Sequence, residues 1–143
     1  MRLLTASASD LSGRRLTTQR RIWPPAHPAQ LRLLLASVVV ILGSFLPWVV
    51  TGFGTYRGIA GPGLWTFYAG VFGIAGALIP MRRLAVLHGA ALTLAALFLP
   101  LWQVQRLVTR IGFEGWTPGF GLGVVVLAGL VGGSATLSIW RDR

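Results

Sequence analysis

The sequence predicts an all-α integral membrane protein, built as a bundle of four transmembrane helices. Of its 143 residues, 54% are hydrophobic and only 11% are charged, and the apolar residues fall into four long runs. A typical soluble domain is about one quarter charged. A soluble protein with four buried core helices of this length would lack polar chain to cover them. The net charge of +10 lies between the apolar runs rather than over a polar surface, so no nucleic-acid partner is expected.

Each apolar run is close to the length of about 20 residues that a helix needs to cross the hydrocarbon core of a bilayer. The four predicted spans are residues 33–50, 64–80, 84–102 and 118–140. Unpaired backbone polar groups are costly in lipid, so each run is expected to be helical. The first span is expected to be retained, because it is longer than a signal-peptide core and no small-residue cleavage pattern follows it. Residues 31–143 are therefore assigned to one transmembrane domain.

Arginine placement predicts the orientation, because basic residues are enriched on the cytoplasmic side. All 13 basic residues are arginine, and with a cytoplasmic amino terminus only Arg57, Arg106 and Arg110 fall outside. Both ends are then expected in the cytoplasm. Tryptophan favours the headgroup level, and Trp48, Trp65, Trp102 and Trp116 fall at the predicted outer ends. Basic residues that are all arginine also suggest a GC-rich bacterial genome, so the predicted location is a bacterial inner membrane.

The two halves of the sequence share short motifs, as expected of a duplicated helical hairpin. The first half contains Phe-Leu-Pro at 45–47 and Pro-Gly at 62–63, and the second contains them at 98–100 and 118–119. Both halves would begin on the same side, which predicts two tandem parallel hairpin repeats about an axis along the membrane normal. The alternative is that membrane helices commonly end in proline and tryptophan at the interface.

Residues 1–30 form a separate, Arg-rich and Pro-rich arm, predicted to lie in the cytoplasm. The prolines at its end are expected to prevent a helix and favour an extended path. Arginines attract anionic lipid headgroups, so the arm is expected to contact either anionic lipids or a protein partner. Its candidate contact residues are Arg14, Arg15, Arg20, Arg21 and Trp23.

Small residues predict where the helices pack, since they let backbones approach closely in lipid. Gly73 and Ala77 lie on a small-residue stripe of span two, and Gly129 and Gly133 form a GxxxG pair in span four. These residues are predicted to contact partner helices, with spans two and four in closest contact. Span one is bulkier and is expected to face lipid or a partner.

The two outer connections differ in character. Residues 103–113 show helical spacing of apolar side chains, which predicts a short amphipathic helix lying on the membrane surface. Glu114, beside it, could pair with Arg110 or Arg57. In the other connection, Gly63-Leu64-Trp65 after Trp48 resembles the W…GLW element of claudin-like four-helix proteins. The resemblance covers this loop alone and lacks the family's paired cysteines, so it implies no function here.

Residues able to do chemistry are sparse. The sequence has no cysteine, no carboxylate within a predicted span and no phosphate-loop, metalloprotease or serine-hydrolase motif. No catalytic or metal-binding residue is therefore assigned, and an enzyme is not expected. His88 is the only histidine, acidic or basic residue in a span, and it lies next to small residues, Gly89 among them, that would admit a flat cofactor. It is the single candidate cofactor ligand, for haem or a chlorophyll-type pigment, against the alternative of packing or hydrogen bonding.

The predicted function is that of a non-catalytic accessory subunit of a larger bacterial inner-membrane complex, with an energy-converting (respiratory or photosynthetic) assembly as the favoured host. Its expected partners are other integral membrane subunits and anionic lipids. The alternative is a small homo-oligomeric transporter or pore for an apolar or lipid-like substrate. A third reading is a haem or pigment carrier using His88.

Overall fold

The computed structural model describes residues 28–141, which are mostly helical. The four helices are α1 (Pro28–Phe45), α2 (Gly63–Leu78), α3 (Arg82–Ile111) and α4 (Phe120–Arg141). Three short strands occupy the connections: β1 (Pro47–Thr51), β2 (Gly54–Arg57) and β3 (Trp116–Pro118). A 3-10 turn at Gly58–Ala60 leads from β2 towards α2.

Three of these helices are long and apolar enough to cross a membrane: α1 with 18 residues, α3 with 30 and α4 with 22. The fourth, α2, is apolar but has only 16 residues. At 1.5 Å per residue, α2 is about 24 Å long and α3 about 45 Å, against a hydrocarbon core of about 30 Å. The composition and length of the helices thus indicate a membrane protein.

The four helices pack in a closed ring. α1 lies along α2 and α4, and α3 lies along the same two helices from the other side. Spans two and four are therefore diagonal, and the prediction that they make the closest contacts is wrong. Their small residues serve contacts with α1 and α3, because consecutive helices joined by short connections become neighbours.

The expectation that α1 faces lipid or a partner more than the others also needs correction. A stripe of its side chains (Leu33, Ser37, Val40 and Ser44) is fully buried in the ring. Bulky residues such as Leu35 and Leu42 are exposed on its other face. α1 is therefore an ordinary member of the bundle, with one inner and one outer face.

A three-stranded antiparallel sheet in the order β2-β1-β3 closes one end of the bundle. Val49, in the central strand, lies opposite Tyr56 on one side and Pro118 on the other. The sheet corrects the all-helical prediction, and it ends span one at Phe45 rather than at residue 50. Pro47 has no amide proton to continue a helix, and the β-branched run Val49-Val50-Thr51 favours a strand. We call this the sheet end, and the end where residues 79–81 join α2 to α3 the turn end.

Trp48 and Trp116 form the core of the sheet end rather than part of an interfacial belt. The Trp48 side chain is 2% exposed, and its Nε1 donates to the Gly43 carbonyl at 3.0 Å. Trp116 is also buried and donates to the Gly112 carbonyl at 2.9 Å. Both indoles find partners within the chain, so they need no headgroup or water. Trp65 and Trp102 remain exposed.

α3 runs without a break through Pro100 to Ile111. Residues 103–111 are the last turns of this helix, so the separate amphipathic helix predicted there is not formed. A proline removes only one backbone bond, and neighbouring helices allow a membrane helix to tolerate that loss.

The two halves of the proposed repeat also differ at this point. The first Phe-Leu-Pro ends α1 and opens β1, whereas the second lies inside α3. Only the Pro-Gly elements are alike, since each lies at the start of a helix, α2 or α4. The duplication is therefore not reflected in the local structure of its main motif.

Two side chains tie the turn end together. Arg82 donates from Nε to the Ile139 carbonyl at 2.8 Å and from Nη2 to the Trp140 carbonyl. Gln30 donates from Nε2 to the Ile79 carbonyl at 3.3 Å. These carbonyls lie at the carboxyl ends of α4 and α2, where helical partners are missing. The first residue described, Pro28, already belongs to α1, since a proline is tolerated in a first helical turn. The arm predicted to be non-helical through residue 30 thus ends earlier.

Candidate functional site: the bundle interior and the α2–α3 groove

The polar side chains buried in the bundle interior of residues 28–141 are paired within the chain. Hydroxyl groups on the inner faces donate to backbone carbonyls of their own helices, as Ser37 does to Leu33 at 2.7 Å and Thr136 to Gly132 at 2.8 Å. Within residues 28–141, every buried side-chain nitrogen or oxygen has a hydrogen-bond partner. The same part of the chain contains no cluster of three histidine, cysteine or acidic residues that could hold a metal ion. The interior thus has no unpaired polar group to offer a substrate.

The predicted partner-contact residues of span two lie inside the bundle. A Cβ atom added to Gly73 would meet Ser37 of α1 and would lie 2.8 Å from a methyl of Leu92 in α3. Ala77, one turn further, has no exposed surface. These two small residues therefore let α2 sit close to both of its neighbours within this chain.

The GxxxG pair of span four also faces a neighbour in the same chain. A Cβ on Gly129 would lie 2.9 Å from the Ala96 side chain, and one on Gly133 would lie 2.9 Å from a methyl of Thr93. Both contacts are with α3. The small residues thus help to close the bundle: Gly73, Ala77 and Gly129 are buried and Gly133 is half-buried.

His88 lies beside α2 near the turn end. Its Nδ1 is 2.7 Å from the Leu84 carbonyl, and because a carbonyl can only accept, Nδ1 carries the proton. Its ring lies 5.8 Å from the ring of Phe72. Gly89, one of the small residues beside His88, lies against the Thr136 side chain of α4, in the room that a flat cofactor would need. His88 is thus held by packing and a local hydrogen bond, with Nε2 as its remaining nitrogen.

The arm residues proposed as lipid or partner contacts lie outside the described residues. They are Arg14, Arg15, Arg20, Arg21 and Trp23.

A concave surface lies between α2 and α3 towards the sheet end. It consists of two adjoining cavities of about 620 and 630 Å³, which share Trp65, Phe98 and Leu99. We call the pair the α2–α3 groove. Its first part is lined by apolar and aromatic side chains, including Tyr68 and Phe72. A third cavity of about 370 Å³ adjoins the groove beneath the sheet, sharing Pro62 and Gln103 with it.

Three arginines surround the sheet end of this groove. Arg106 and Arg110 line the groove itself, and Arg57 lines the adjoining cavity. The guanidinium of Arg106 lies 5.2 Å from the centre of the Trp102 ring, within the range of a cation–π contact. Glu114 is the only acidic residue among residues 28–141, and it forms no ion pair with Arg57 or Arg110. The groove therefore passes from an apolar floor to an uncompensated positive mouth.

The spacing of residues in α3 explains why the groove is apolar along one part and positively charged at the other. Residues four apart lie on one face of a helix, and positions 94, 98, 102, 106 and 110 read Leu, Phe, Trp, Arg, Arg. Because the predicted third span ends at Trp102 and the residues after it are predicted as a separate element, the stripe is not part of the sequence-based prediction. The four-residue spacing across the span boundary was the signal present in the sequence.

Comparison of the chain with protein-family models, with curated proteins and with solved structures finds no match.

Proposed function

We propose that this chain is a non-catalytic accessory subunit of a larger complex in a bacterial inner membrane, with a respiratory or photosynthetic assembly as the favoured host. The proposal rests on the bundle interior, where every buried side-chain nitrogen or oxygen within residues 28–141 has a hydrogen-bond partner. A bundle of this kind has outer faces with which to act, and those faces carry large apolar side chains such as Leu87, Phe98 and Leu127. Packing against other membrane subunits would use these faces.

The proposed topology has four crossings, with both chain ends in the cytoplasm. α2 is short, but it is flanked along its length by α1 and α3, two helices long enough to span. Within residues 28–141, Arg32, Arg82, Arg83 and Arg141 lie at the turn end, and Arg57, Arg106 and Arg110 lie at the sheet end. In the proposed topology the six arginines outside these residues would also be on the side of the turn end. The basic side supports a cytoplasmic turn end, by the usual arginine bias.

The assembly is tested by purifying the tagged chain from its native membrane in a mild detergent and separating it on a native gel. A band well above monomer mass, with other membrane subunits identified in it by mass spectrometry, is the expected result. Migration only at the mass of the isolated chain, in every mild detergent used, would contradict the proposal.

The topology is tested with single cysteines, since the chain has none of its own. Thr55→Cys lies in the exposed strand β2 and Arg83→Cys is exposed at the turn end. A membrane-impermeant maleimide applied to intact spheroplasts should label the first variant and spare the second until the membrane is opened. The reverse pattern, or equal labelling of both, would refute the proposed orientation.

A second candidate is a small homo-oligomeric transporter or pore for an apolar or lipid-like substrate. The α2–α3 groove favours it, because this surface is apolar, large enough for a ligand and open to the side of the bundle. Movement of a fluorescent lipid across liposomes containing the purified chain alone would support this candidate. Equal rates in liposomes with and without the chain would remove it.

A further inference from the structure

We propose that the α2–α3 groove is a binding site for one anionic phospholipid, which lays an acyl chain along the apolar part and places its phosphate at Arg106 and Arg110. This inference concerns the chain by itself and does not depend on the proposed assembly. It is drawn from three features of the groove: its lining, its charge and its length.

The lining fits an acyl chain. From α2 come Trp65, Tyr68 and Phe72, spaced along one face, and from α3 come Leu94 and Phe98. These five side chains are each at least half exposed, so the bundle itself does not cover them. An apolar groove of about 620 Å³ can hold a flexible acyl chain between the two helices. The acyl chain then contacts protein side chains instead of the surrounding lipids.

The charge at the mouth selects the headgroup. Arg106 is stacked on Trp102, which orients its guanidinium beside the groove, and Arg110 follows one turn later. Within residues 28–141 no carboxylate neutralises either one. Guanidinium groups bind phosphate through paired hydrogen bonds. A zwitterionic lipid carries its own cation beside the phosphate and should therefore bind less well than an anionic one.

The length of the groove matches one leaflet. Leu94 and Arg106 are twelve residues apart on α3, so they are separated by about 18 Å along the helix axis. Half of the hydrocarbon core is about 15 Å. A lipid with its phosphate at Arg106 would thus have its acyl chain along the groove down to the middle of the membrane.

Native mass spectrometry of the purified chain with added lipids tests the selectivity. We expect one phosphatidylglycerol to stay bound, with an affinity about tenfold higher than that for phosphatidylcholine, and about tenfold weaker binding in R106Q/R110Q. The matched control R32Q/R83Q removes two arginines from the turn end and should change this affinity by less than about twofold. Equal retention of both lipids, or equal losses in both double variants, would overturn the proposal.

Photo-crosslinking tests the location. Phosphatidylglycerol with a diazirine in its acyl chain should label α2 and α3 between Trp65 and Leu99, and Ala91→Trp, which fills the apolar part, should reduce that labelling. Leu127→Trp adds the same indole to the exposed face of α4 and should leave the labelling unchanged. Labels spread evenly over all helices, or displacement of the lipid by millimolar inorganic phosphate alone, would refute the site. So would a protein subunit cross-linked to this groove in place of lipid.

Loss of binding counts only for folded variants. Each variant is therefore checked by circular dichroism and size-exclusion chromatography in the same detergent, and all six substituted positions are exposed. Folding is expected to be kept in all of them. Should R106Q/R110Q fail to fold, the crosslinking arm with Ala91→Trp and its control decides the proposal by itself.

Discussion

The contact between α2 and α3 is close at the turn end and open at the sheet end. Near the turn end the helices touch closely: a Cβ added to Gly76 would lie 2.5 Å from that of His88, and Ala77 and Ala85 have no exposed surface. Near the sheet end the same two helices leave a groove, where Trp65 is 67% exposed and Phe98 is 64% exposed.

Residue size distinguishes the two ends of this helix contact. Small residues allow the backbones to approach, and dispersion contacts then hold the helices together in lipid. Near the sheet end both helices carry large aromatic side chains that stay exposed and line a surface that can accept a ligand. One pair of helices can therefore provide both the rigid contact and the candidate site.

The largest expected effect comes from removing the indole of Trp48, which is part of the core at the sheet end. Trp48→Ala should lower the free energy of unfolding by about 3–5 kcal/mol, because it empties a buried volume and loses the bond to the Gly43 carbonyl. Thermal unfolding in detergent, followed by circular dichroism, measures the change. Trp65→Ala is the matched control and should cost less than about 1 kcal/mol, since its side chain is already exposed. Similar losses of unfolding free energy in the two variants would contradict the structure, because they would place both indoles in similar environments.

Adding a large side chain to the close contact at the turn end should have a smaller effect on stability. Gly76→Leu forces a branched side chain against His88 and should destabilise the bundle by about 1–3 kcal/mol. Gly123→Leu makes the same change where a new Cβ meets no atom within 4 Å. Comparing the two unfolding curves isolates the effect of the close contact. A Gly76→Leu curve that overlays the Gly123→Leu curve would mean that the turn end is looser than the structure shows.

The hydrogen bonds at the turn end should contribute less again. Arg82→Gln removes the donors to the Ile139 and Trp140 carbonyls at the end of α4, and a loss of about 1 kcal/mol is expected. Arg83→Gln removes an adjacent charge for which the structure shows no such bond. The difference between their unfolding free energies, measured side by side, gives the contribution of the cap. Equal free energies of unfolding in the two variants would show that the Arg82 hydrogen bonds do not contribute to stability.

The smallest expected effect is the coupling between two buried hydroxyls. Ser44 and Thr66 lie 2.7 Å apart and connect α1 to α2. A double-mutant cycle with Ser44→Ala and Thr66→Ala should give a coupling of about 0.6 kcal/mol, a usual value for polar pairs between membrane helices. Strictly additive losses would show that each hydroxyl is satisfied by its own helix.

Part of the candidate site was present in the sequence. The small residues of α2 and α4 are predicted to pack against other helices, because closely spaced small residues have few other uses in an apolar helix. Gly73 and Gly129 lie against neighbouring helices of this chain, and contact with a partner subunit stays a prediction. Which neighbour they meet could not be read from their spacing, since a small stripe fits any close helix. The groove was missed because the sequence was divided at Trp102, where the apolar run ends, although α3 continues past it to Ile111.

The sequence by itself determined the helical, apolar character of the chain. Four long runs of residues such as 118–140 with no charge leave few alternatives to helices, because the backbone must bond within itself where water is absent. Periodicity and composition are local properties, so they can be read without a structure.

Only the tertiary structure decided the order of the helices around the ring, the sheet at one end and the groove beside it. Trp48 illustrates the reason: a tryptophan near the end of an apolar run suits the headgroup region equally well, and only the presence of the Gly43 carbonyl and of Gly58 beside it makes it a core residue. The positive mouth of the groove likewise depends on Arg57 and Arg106, which are almost fifty residues apart in the sequence, being brought to adjoining cavities. Contacts between distant parts of the chain depend on how side chains of different size fit together, and no local pattern specifies that fit.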